Sequence, residues 1–366
     1  MLKVNRVKAV VAMSGGVDSS VAAALLKEEG YQVIGVTMHI WPRDRQENEG
    51  NGYGCCGIGA TEDAKRVAHR LSIPHYVMNF RDIFAQTVIA DFYREYSRGR
   101  TPNPCIRCNQ YIKFGALLEK AKQLGADIIA TGHHARKEMD KTAEIFTLKK
   151  GVDQYKDQSY FLHPVAQEQL KHILFPVGNF TKDRIREMAG ELRLPVADKP
   201  ESQEICFIPD DNYSRFLKDY KPHAIEPGPI LDKQGNILGK HEGIMFYTIG
   251  QRKGLGIPAR KPLYVIDIVP ERNAIIVGNK DDLYGRELIA SRVNWITQAR
   301  PTQPITVKAK IRYRHQEAEA EVAPGDGEKT YVKFAEPQMA ITPGQAVVFY
   351  DSDTVLGGGT IEQVRR

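Results

Sequence analysis

Over roughly its first 210 residues the chain alternates short apolar runs with longer stretches of helical period. The runs at 10–13, 32–38, 75–78 and 127–131 are apolar and bounded by turn residues, which predicts buried strands. Between them, 18–29, 61–71, 83–97 and 111–124 carry helical patterns. Strands alternating with helices predict a parallel sheet covered on both faces. A possible hairpin precedes Lys149, and a helix with a plausible cap begins near Thr181. From about Asp210 helical periodicity fades, and Gly, Pro and β-branched residues recur at short intervals. Gln234-Gly235-Asn236 signals a turn, and residues 248–256 form a glycine-spaced basic loop. Ile305, Val307, Ala309, Ile311 and Tyr313 alternate with Thr306, Lys308, Lys310, Arg312 and Arg314, which predicts one strand with an apolar face and a basic face. Four cations without an acid make either a solvated exterior or a surface for a polyanion. The pattern predicts an α/β parallel-sheet domain over 1–209, a small, mostly β central domain over 210–280, and a C-terminal β-barrel over 281–366.

Ligands of a parallel sheet sit beyond the carboxyl ends of its strands, and three motifs fall there. Ser14-Gly15-Gly16-Val17-Asp18-Ser19-Ser20 follows the first strand, a long loop from Met38 to Cys56 follows the second, and Gly132-His133-His134 follows the fourth. A strand, a tight glycine turn and a helix N-terminus make an anion site: the first-turn amides lack partners, the dipole is positive there, and glycines let phosphate approach the backbone. The alternative is an ordinary turn capped by Ser14 or Asp18. The Walker lysine and the G-x-G-x-x-G spacing are both missing, so the loop is neither a standard P-loop nor a dinucleotide fingerprint. Ser-Gly-Gly-x-Asp-Ser instead resembles the pyrophosphate loop of ATP pyrophosphatases, which split ATP into AMP and pyrophosphate.

The 366 residues are 42% hydrophobic and 26% charged, a globular composition long enough for two or three domains. No apolar run approaches membrane-spanning length, and the apolar part after Lys3, Arg6 and Lys8 is too short for a signal peptide, so a cytoplasmic protein is expected. A net charge of +6 permits a polyanionic partner without demanding one.

Five cysteines are not a secreted disulfide framework. Cys55 and Cys56 are adjacent, Cys105 and Cys108 form a C-x-x-C, and Cys206 is solitary. Two prolines bracket Asn103 and predict an extended, rigid segment. Cys108 then lies just ahead of a helix starting near Tyr111, and with Arg107 and Lys113 nearby it is expected to have thiolate character. The alternative, half of a structural zinc site, needs a second pair at matching spacing. The stretch from Lys149 to Phe161 reads from composition as a solvated polar loop, and Cys206, between apolar residues, as a buried structural thiol.

Eight motifs occur in one order: residues 14–19, Gly54-Cys55-Cys56-Gly57, Arg100-Thr101-Pro102-Asn103-Pro104 with Cys108-Asn109, Thr131-Gly132-His133, Lys156-Asp157-Gln158-Ser159-Tyr160-Phe161, Ile205-Cys206-Phe207-Ile208, residues 250–256, and Arg312-Tyr313-Arg314. Together they closely resemble the bacterial tRNA-specific 2-thiouridylase family, from near residue 7 to Gly357-Gly358-Gly359-Thr360-Ile361-Glu362-Gln363. The resemblance implies an adenine nucleotide alpha hydrolase-like catalytic domain and thiolation of carbon 2 of the wobble uridine in tRNAs for Lys, Glu and Gln. It places ATP on Ala12, Met13, Ser14, Gly15, Gly16, Val17, Asp18, Ser19, Met38 and Gly132, with Mg²⁺ near Asp18. It places the target base at Asn103, Pro104 and Cys105, and tRNA contacts at Lys156, Asp157, Gln158, Arg312 and Tyr313. Cys206 matches the persulfide carrier, supplied by a cysteine desulfurase or a sulfur-relay protein, and Cys108 matches its catalytic partner. The persulfide either attacks the activated carbon directly or is released as Cys108 forms a disulfide with Cys206.

The chain departs from many family members at Cys105, where they carry an Asp read as a general acid or base. Cys105, Cys108 and Cys206 could alternatively hold three irons of a [4Fe–4S] cluster; the persulfide route is the favoured reading. Two other classes share single features: an ATP-pyrophosphatase synthetase of the amidotransferase or argininosuccinate type, which needs neither Cys108 nor Cys206, and a non-enzymatic tRNA- or zinc-binding module, which would form no AMP.

Overall fold

A computed structural model of the chain describes residues 7–41, 58–200, 205–208, 210–222, 225–297 and 299–365. The expectations for Cys55, Cys56 and most of the loop after Met38 lie outside the described residues. The chain divides into two compact units, one of residues 1–88, 105–211 and 353–356, the other of 89–104, 212–352 and 357–366.

The first unit contains strands β1 (Lys8–Ala12), β2 (Gln32–His39), β3 (His75–Asn79), β4 (Ile128–Ala130), β5 (Ala135–Asp140), β6 (Ile145–Lys150) and β7 (Ile173–Leu174). Five form a parallel sheet in the order β3-β2-β1-β4-β7. Ala9, Val10 and Val11 of β1 are fully buried, which accounts for an apolar run without alternation. Helices Val17–Glu28, Ile58–Leu71 and Lys182–Glu191 bury Val21, Val67 and Ile185 in one core with Ala9 and Val11. The chain steps from β1 outward to β3 and then returns to place β4 on the other side of β1. That reversal opens a crevice beyond the carboxyl ends of β1 and β4. The expected hairpin is β5 and β6, and Thr354 and Val355 pair with Lys149 and Leu148 of β6.

Two helical expectations need correction. The helix expected from 83 begins at Arg81 and passes through a π-helical stretch, Ala85–Ile89, before Ala90–Ser97. The helix expected from 111 begins at Pro104 and includes a π-helical stretch, Cys108–Ala116. Proline lacks the amide that a first helical residue leaves unpaired, so Pro104 starts the helix rather than ending the extended segment.

In the second unit, β8 (Gly228–Leu231), β9 (Ile237–His241), β10 (Tyr264–Val269) and β11 (Ala274–Gly278) form a sheet in the order β10-β11-β8-β9. The turn between β8 and β9 has Gly235 at φ +87°, with Gln234 N and Asn236 N donating to Asp232 Oδ1. Strands β12 (Tyr284–Trp295), β13 (Ile305–Lys310), β14 (Ala318–Pro324), β15 (Thr330–Met339), β16 (Ala346–Asp351) and β17 (Thr354–Arg365) run β12-β15-β14-β13-β16-β17, and β12 pairs with β17 to close a barrel.

A helix lies within the stretch after Asp210 where no helical periodicity is expected. Tyr213–Tyr220 is capped by Asn212, whose Oδ1 accepts from Arg215 N at 2.9 Å. Its rings pack on those of helix Ala90–Ser97, with Tyr96–Tyr213 centroids 5.1 Å apart and Phe92–Phe216 centroids 6.0 Å apart. The basic strand also needs correction. β13 stops at Lys310, so Arg312 and Tyr313 lie in the turn that follows. Lys308 registers with Glu319 on the neighbouring strand, while Glu321 registers with Thr306 on one side and with Lys333 on the other. One of the two cations of β13 therefore stands opposite an acid across the ladder. Among the described residues no helix is long and apolar enough to cross a membrane.

Candidate functional site

The loop after β1 is built around glycines. Met13 N donates to Val36 O at 2.8 Å, which continues β1 by one residue before the chain turns. Gly15 has φ +68°, and a Cβ there would sit 2.2 Å from Ala60 O, so only glycine fits. The helix begins at Val17 with Gly16 as its cap residue and no side-chain cap, so neither Ser14 nor Asp18 caps it. Ser19 Oγ and Ser20 Oγ donate to Gly16 O at 3.2 and 2.8 Å, and Ser14 N donates to Ser19 Oγ at 3.2 Å. The hydroxyls brace the loop, and the helix's first amides have no carbonyl of their own helix to pair with, as phosphate binding requires. At Gly132 a Cβ would lie 2.5 Å from Ser19 N, so the loop after β4 closes directly on the loop after β1. Ala12, Met13 and Met38 are buried at the strand ends that carry these loops.

Asp18 is the electrostatic centre. Its Oδ1 accepts from Lys182 Nζ at 2.6 Å and faces His134 Nε2 at 3.2 Å. Burial raises its pKa, but the His134 hydrogen bond and the Lys182 charge outweigh that and hold it below the ordinary carboxylate value. A second lysine, Lys199, donates to Gly15 O at 3.0 Å and to Asp63 Oδ2 at 2.5 Å. Two lysines from distant parts of the chain thus stand at a loop that lacks the Walker lysine. Sequence reasoning missed both, and His134 as a site residue. Lys182 follows the Thr181 cap, whose Oγ1 accepts from Arg184 N, but no spacing ties either lysine to residues 14–19.

The loop expected to be solvated is anchored instead. Asp157 is buried; its Oδ1 accepts from Gly151 N and Ser159 N at 3.0 and 3.1 Å, and its Oδ2 from Ser159 Oγ at 2.8 Å. Gln158 clamps His134 by accepting from its N at 3.0 Å and donating to its O at 2.9 Å. Lys156 is half-buried beside them. Of the five residues matched to tRNA contact, Gln158 therefore holds the segment that carries His134 to Asp18, and Asp157 ties Gly151 to Ser159.

Cys105 is exposed, and Cys108 and Cys206 are half-buried. Cys108 opens the π-helical stretch one turn inside the helix, so the helix N-terminus belongs to Cys105 rather than to Cys108. The same stretch sends Lys113 Nζ to 3.3 Å from His133 Nε2, and His133 Nδ1 lies 2.7 Å from Thr131 Oγ1. Lys113 can only donate, so the network assigns the ring proton to Nδ1. Burial, then the Lys113 charge, keeps His133 neutral, with its pKa well below the usual value. Cys206 lies in a turn closed by Ile208 N donating to Ile205 O at 2.8 Å. Phe207 and Ile208 are buried, and the Phe207 ring meets Phe84 edge-on at 5.6 Å. The apolar neighbours are the anchor of this turn, while the thiol of Cys206 is only half-covered.

In the second unit, Asn103 is half-buried and Pro104 buried. Thr101 N donates to Pro343 O at 2.9 Å, and Gln345 Nε2 donates to Thr101 O at 2.9 Å, which fixes the segment leading to them. Arg312 Nη1 donates to Met339 O at 3.1 Å, and Lys310 Nζ lies 5.8 Å from the Tyr313 ring centroid.

Among the described residues no group of three or more His, Cys, Asp or Glu side chains converges as metal ligands. Among those residues Cys105, Cys108 and Cys206 are not gathered as an iron–sulfur ligand set, and no zinc tetrad forms around the C-x-x-C.

Known proteins align with this chain over nearly its whole length. Residues 7–210 match the family model described as the tRNA methyl transferase HUP domain, 214–279 its PRC-barrel domain, and 285–361 the aminomethyltransferase beta-barrel domain. The tRNA-specific 2-thiouridylase MnmA 1 of Caldanaerobacter subterraneus is 54% identical, over 98% of this chain and 98% of its own. MnmA of Heliobacterium modesticaldum is 56% identical over 96% of this chain and 91% of its own, and MnmA of Acetivibrio thermocellus 53% identical over 97% and 99%. The chain belongs to the tRNA-specific 2-thiouridylase family. The expected architecture, a parallel-sheet nucleotide domain followed by two β domains, is that of this thiouridylase family. In this thiouridylase chain Lys182 tethers Asp18 and Lys199 tethers Gly15, both from outside the glycine loop.

Proposed function

We propose that the chain is a tRNA-uridine 2-sulfurtransferase that consumes ATP. The observation that carries the reading is the closure of Gly132 on Ser19 beside the Asp18–Lys182 pair, which shapes a phosphate cradle at the switch point of the sheet. A carbonyl oxygen of uracil is a poor leaving group. Attack of the C2 oxygen of the wobble uridine in tRNAs for Lys, Glu and Gln on the α-phosphorus of ATP expels pyrophosphate and makes the oxygen part of AMP. Residues 14–19 and Gly132 hold the phosphates, Met13 and Met38 flank the nucleotide, and Lys182 and Lys199 supply positive charge. When Mg²⁺ is bound, Asp18 would hold it against the phosphates and the ion would neutralise their charge.

Sulfur then comes from a persulfide on Cys206, loaded by a cysteine desulfurase or a relay protein. The outer sulfur bonds to carbon 2 and AMP leaves; Cys108 thiolate attacks the inner sulfur, breaking the S–S bond, leaving the thiocarbonyl and forming a Cys108–Cys206 disulfide. A thiol reductant restores both cysteines. Cys105, exposed in the first helical turn next to Asn103 and Pro104, lies in the segment assigned to the target base. That base leaves the anticodon stack to reach it, at low cost in a single-stranded loop. The reading routes no step through an iron–sulfur cluster; that among the described residues the three cysteines are not gathered as a ligand set supports it.

The test is incubation of the protein with ATP, Mg²⁺, cysteine, a desulfurase and unmodified tRNA. Formation of 2-thiouridine with one AMP per thiolated tRNA supports the reading. AMP formed only with a small-molecule acceptor would point to a synthetase.

A further inference from the structure

The turn ahead of Lys156 carries a residue to which nothing so far gives a role. Tyr155 is 95% exposed, more than any other large apolar side chain among the described residues. The backbone beneath it is fixed from both sides. Tyr155 N and Lys156 N donate to Asp153 Oδ1 at 3.0 and 3.2 Å, and Asp153 Oδ2 accepts from Lys182 N at 2.9 Å. On the other side, Asp157 and Gln158 are tied down as described, and Val152 N donates to Gly178 O at 3.0 Å.

An exposed ring on a loose loop needs no explanation. Here the turn is braced by buried and charged partners, while the ring itself covers nothing. A flat aromatic face held toward solvent, with a lysine next in sequence, has the two features that single-stranded RNA binds: a stacking surface for a base and a cation for the phosphate beside it. The turn is also wired to the nucleotide loop by two routes, Asp153 to Lys182 to Asp18, and Gln158 to His134 to Asp18. An occupant of this turn therefore contacts a scaffold shared with the site where the base is activated.

We propose that Tyr155 is a stacking platform for an unpaired base of the substrate tRNA, beside Lys156, which the resemblance already matches to tRNA contact. This rests on the reading that the chain acts on tRNA. Stacking on an aromatic ring tolerates any base, so the contact adds affinity without reading sequence. It also draws on no counterions, which separates it from Lys156.

The experiment measures binding of unmodified tRNA to the full-length protein over a range of salt concentrations. Wild type is compared with Tyr155→Ala, Tyr155→Leu, Tyr155→Phe, Tyr155→Trp and Lys156→Ala, each checked for an unchanged melting temperature. Ala and Leu are expected to weaken binding about 5- to 150-fold, with the salt slope kept. Phe and Trp are expected to bind close to wild type, and Lys156→Ala to lower the salt slope by about one. Unweakened binding by Tyr155→Ala, or Leu matching Phe, overturns the stacking role while leaving the tRNA reading intact. Wild type that does not bind tRNA overturns that reading and the proposal with it.

Discussion

Lys182 Nζ lies 2.6 Å from Asp18 Oδ1, bringing together residues 164 positions apart. The loop after β1 thus gains from another helix the cation that a Walker loop carries within itself. Lys182→Met keeps most of the length of a buried, unbranched side chain and removes its charge and its hydrogen bond to Asp18. Pyrophosphate release with tRNA should fall about 100- to 1,000-fold, the range seen when one fixed donor to a developing charge is removed, with the fold retained in a thermal melt. Release at the wild-type rate would mean that Lys182 serves Asp18 and not ATP.

The same pair sets an acid limit on stability. Asp18 has its folded pKa held below 3.8 although burial alone would raise it. A depressed carboxylate contributes stability above its unfolded value and loses it as pH falls through the lower folded value. Lys182→Met leaves the burial less opposed, so the acid transition should move to higher pH. Urea midpoints measured between pH 5 and pH 2 check this; an unmoved transition counts against the pair.

Two buried histidines act at milder pH. Burial keeps His133 well below 6.5 and pushes His163 down to about 4, against the hydrogen bond that His163 makes to Tyr160 O. Below pH 6.5 the unfolded chain takes up protons that the folded chain refuses, so stability falls with pH, by at most about 1.4 kcal/mol per unit per histidine. His163→Gln should flatten the decline between pH 6.5 and about 4. Urea unfolding at stepped pH gives the slope, and a slope unchanged by the substitution would contradict the account.

One substitution should have opposite effects at two glycines. Gly132→Ala drives a Cβ to 2.5 Å from Ser19 N, whereas Gly190→Ala, within helix Lys182–Glu191, meets nothing within 4 Å. The first should abolish ATP-dependent pyrophosphate release; the second should stabilise the protein by about 0.5–1 kcal/mol through helix propensity. Pyrophosphate assays and denaturation midpoints on both variants decide the matter.

Much of the nucleotide half was legible because its signals are local. Val10 and Val11 declare a buried strand, Gly15 a turn that only glycine can make, and Thr181 a helix cap. What could not be read depends on pairing across sequence distance. Glu319 stands opposite Lys308 from a neighbouring strand, and Lys182 and Lys199 reach the loop from helices and turns far along the chain. Composition also misled at Asp157, whose polarity satisfies buried amides rather than water. The helix Tyr213–Tyr220 had its signal in place, with Tyr213, Phe216, Leu217 and Tyr220 at helical spacing, but a segment of two turns among Gly and Pro is easily passed over.

The central claim is sulfur delivery from Cys206 with Cys108 as partner. Its most direct test is a single anaerobic turnover of iron-free protein loaded with labelled persulfide, given ATP, Mg²⁺ and unmodified tRNA. Wild type and Cys105→Ala should place the label in 2-thiouridine; Cys206→Ala should accept no label, and Cys108→Ala should carry the label without completing transfer. Labelled 2-thiouridine from Cys206→Ala, or transfer that appears only when iron is restored and all three cysteines are present, would contradict the account.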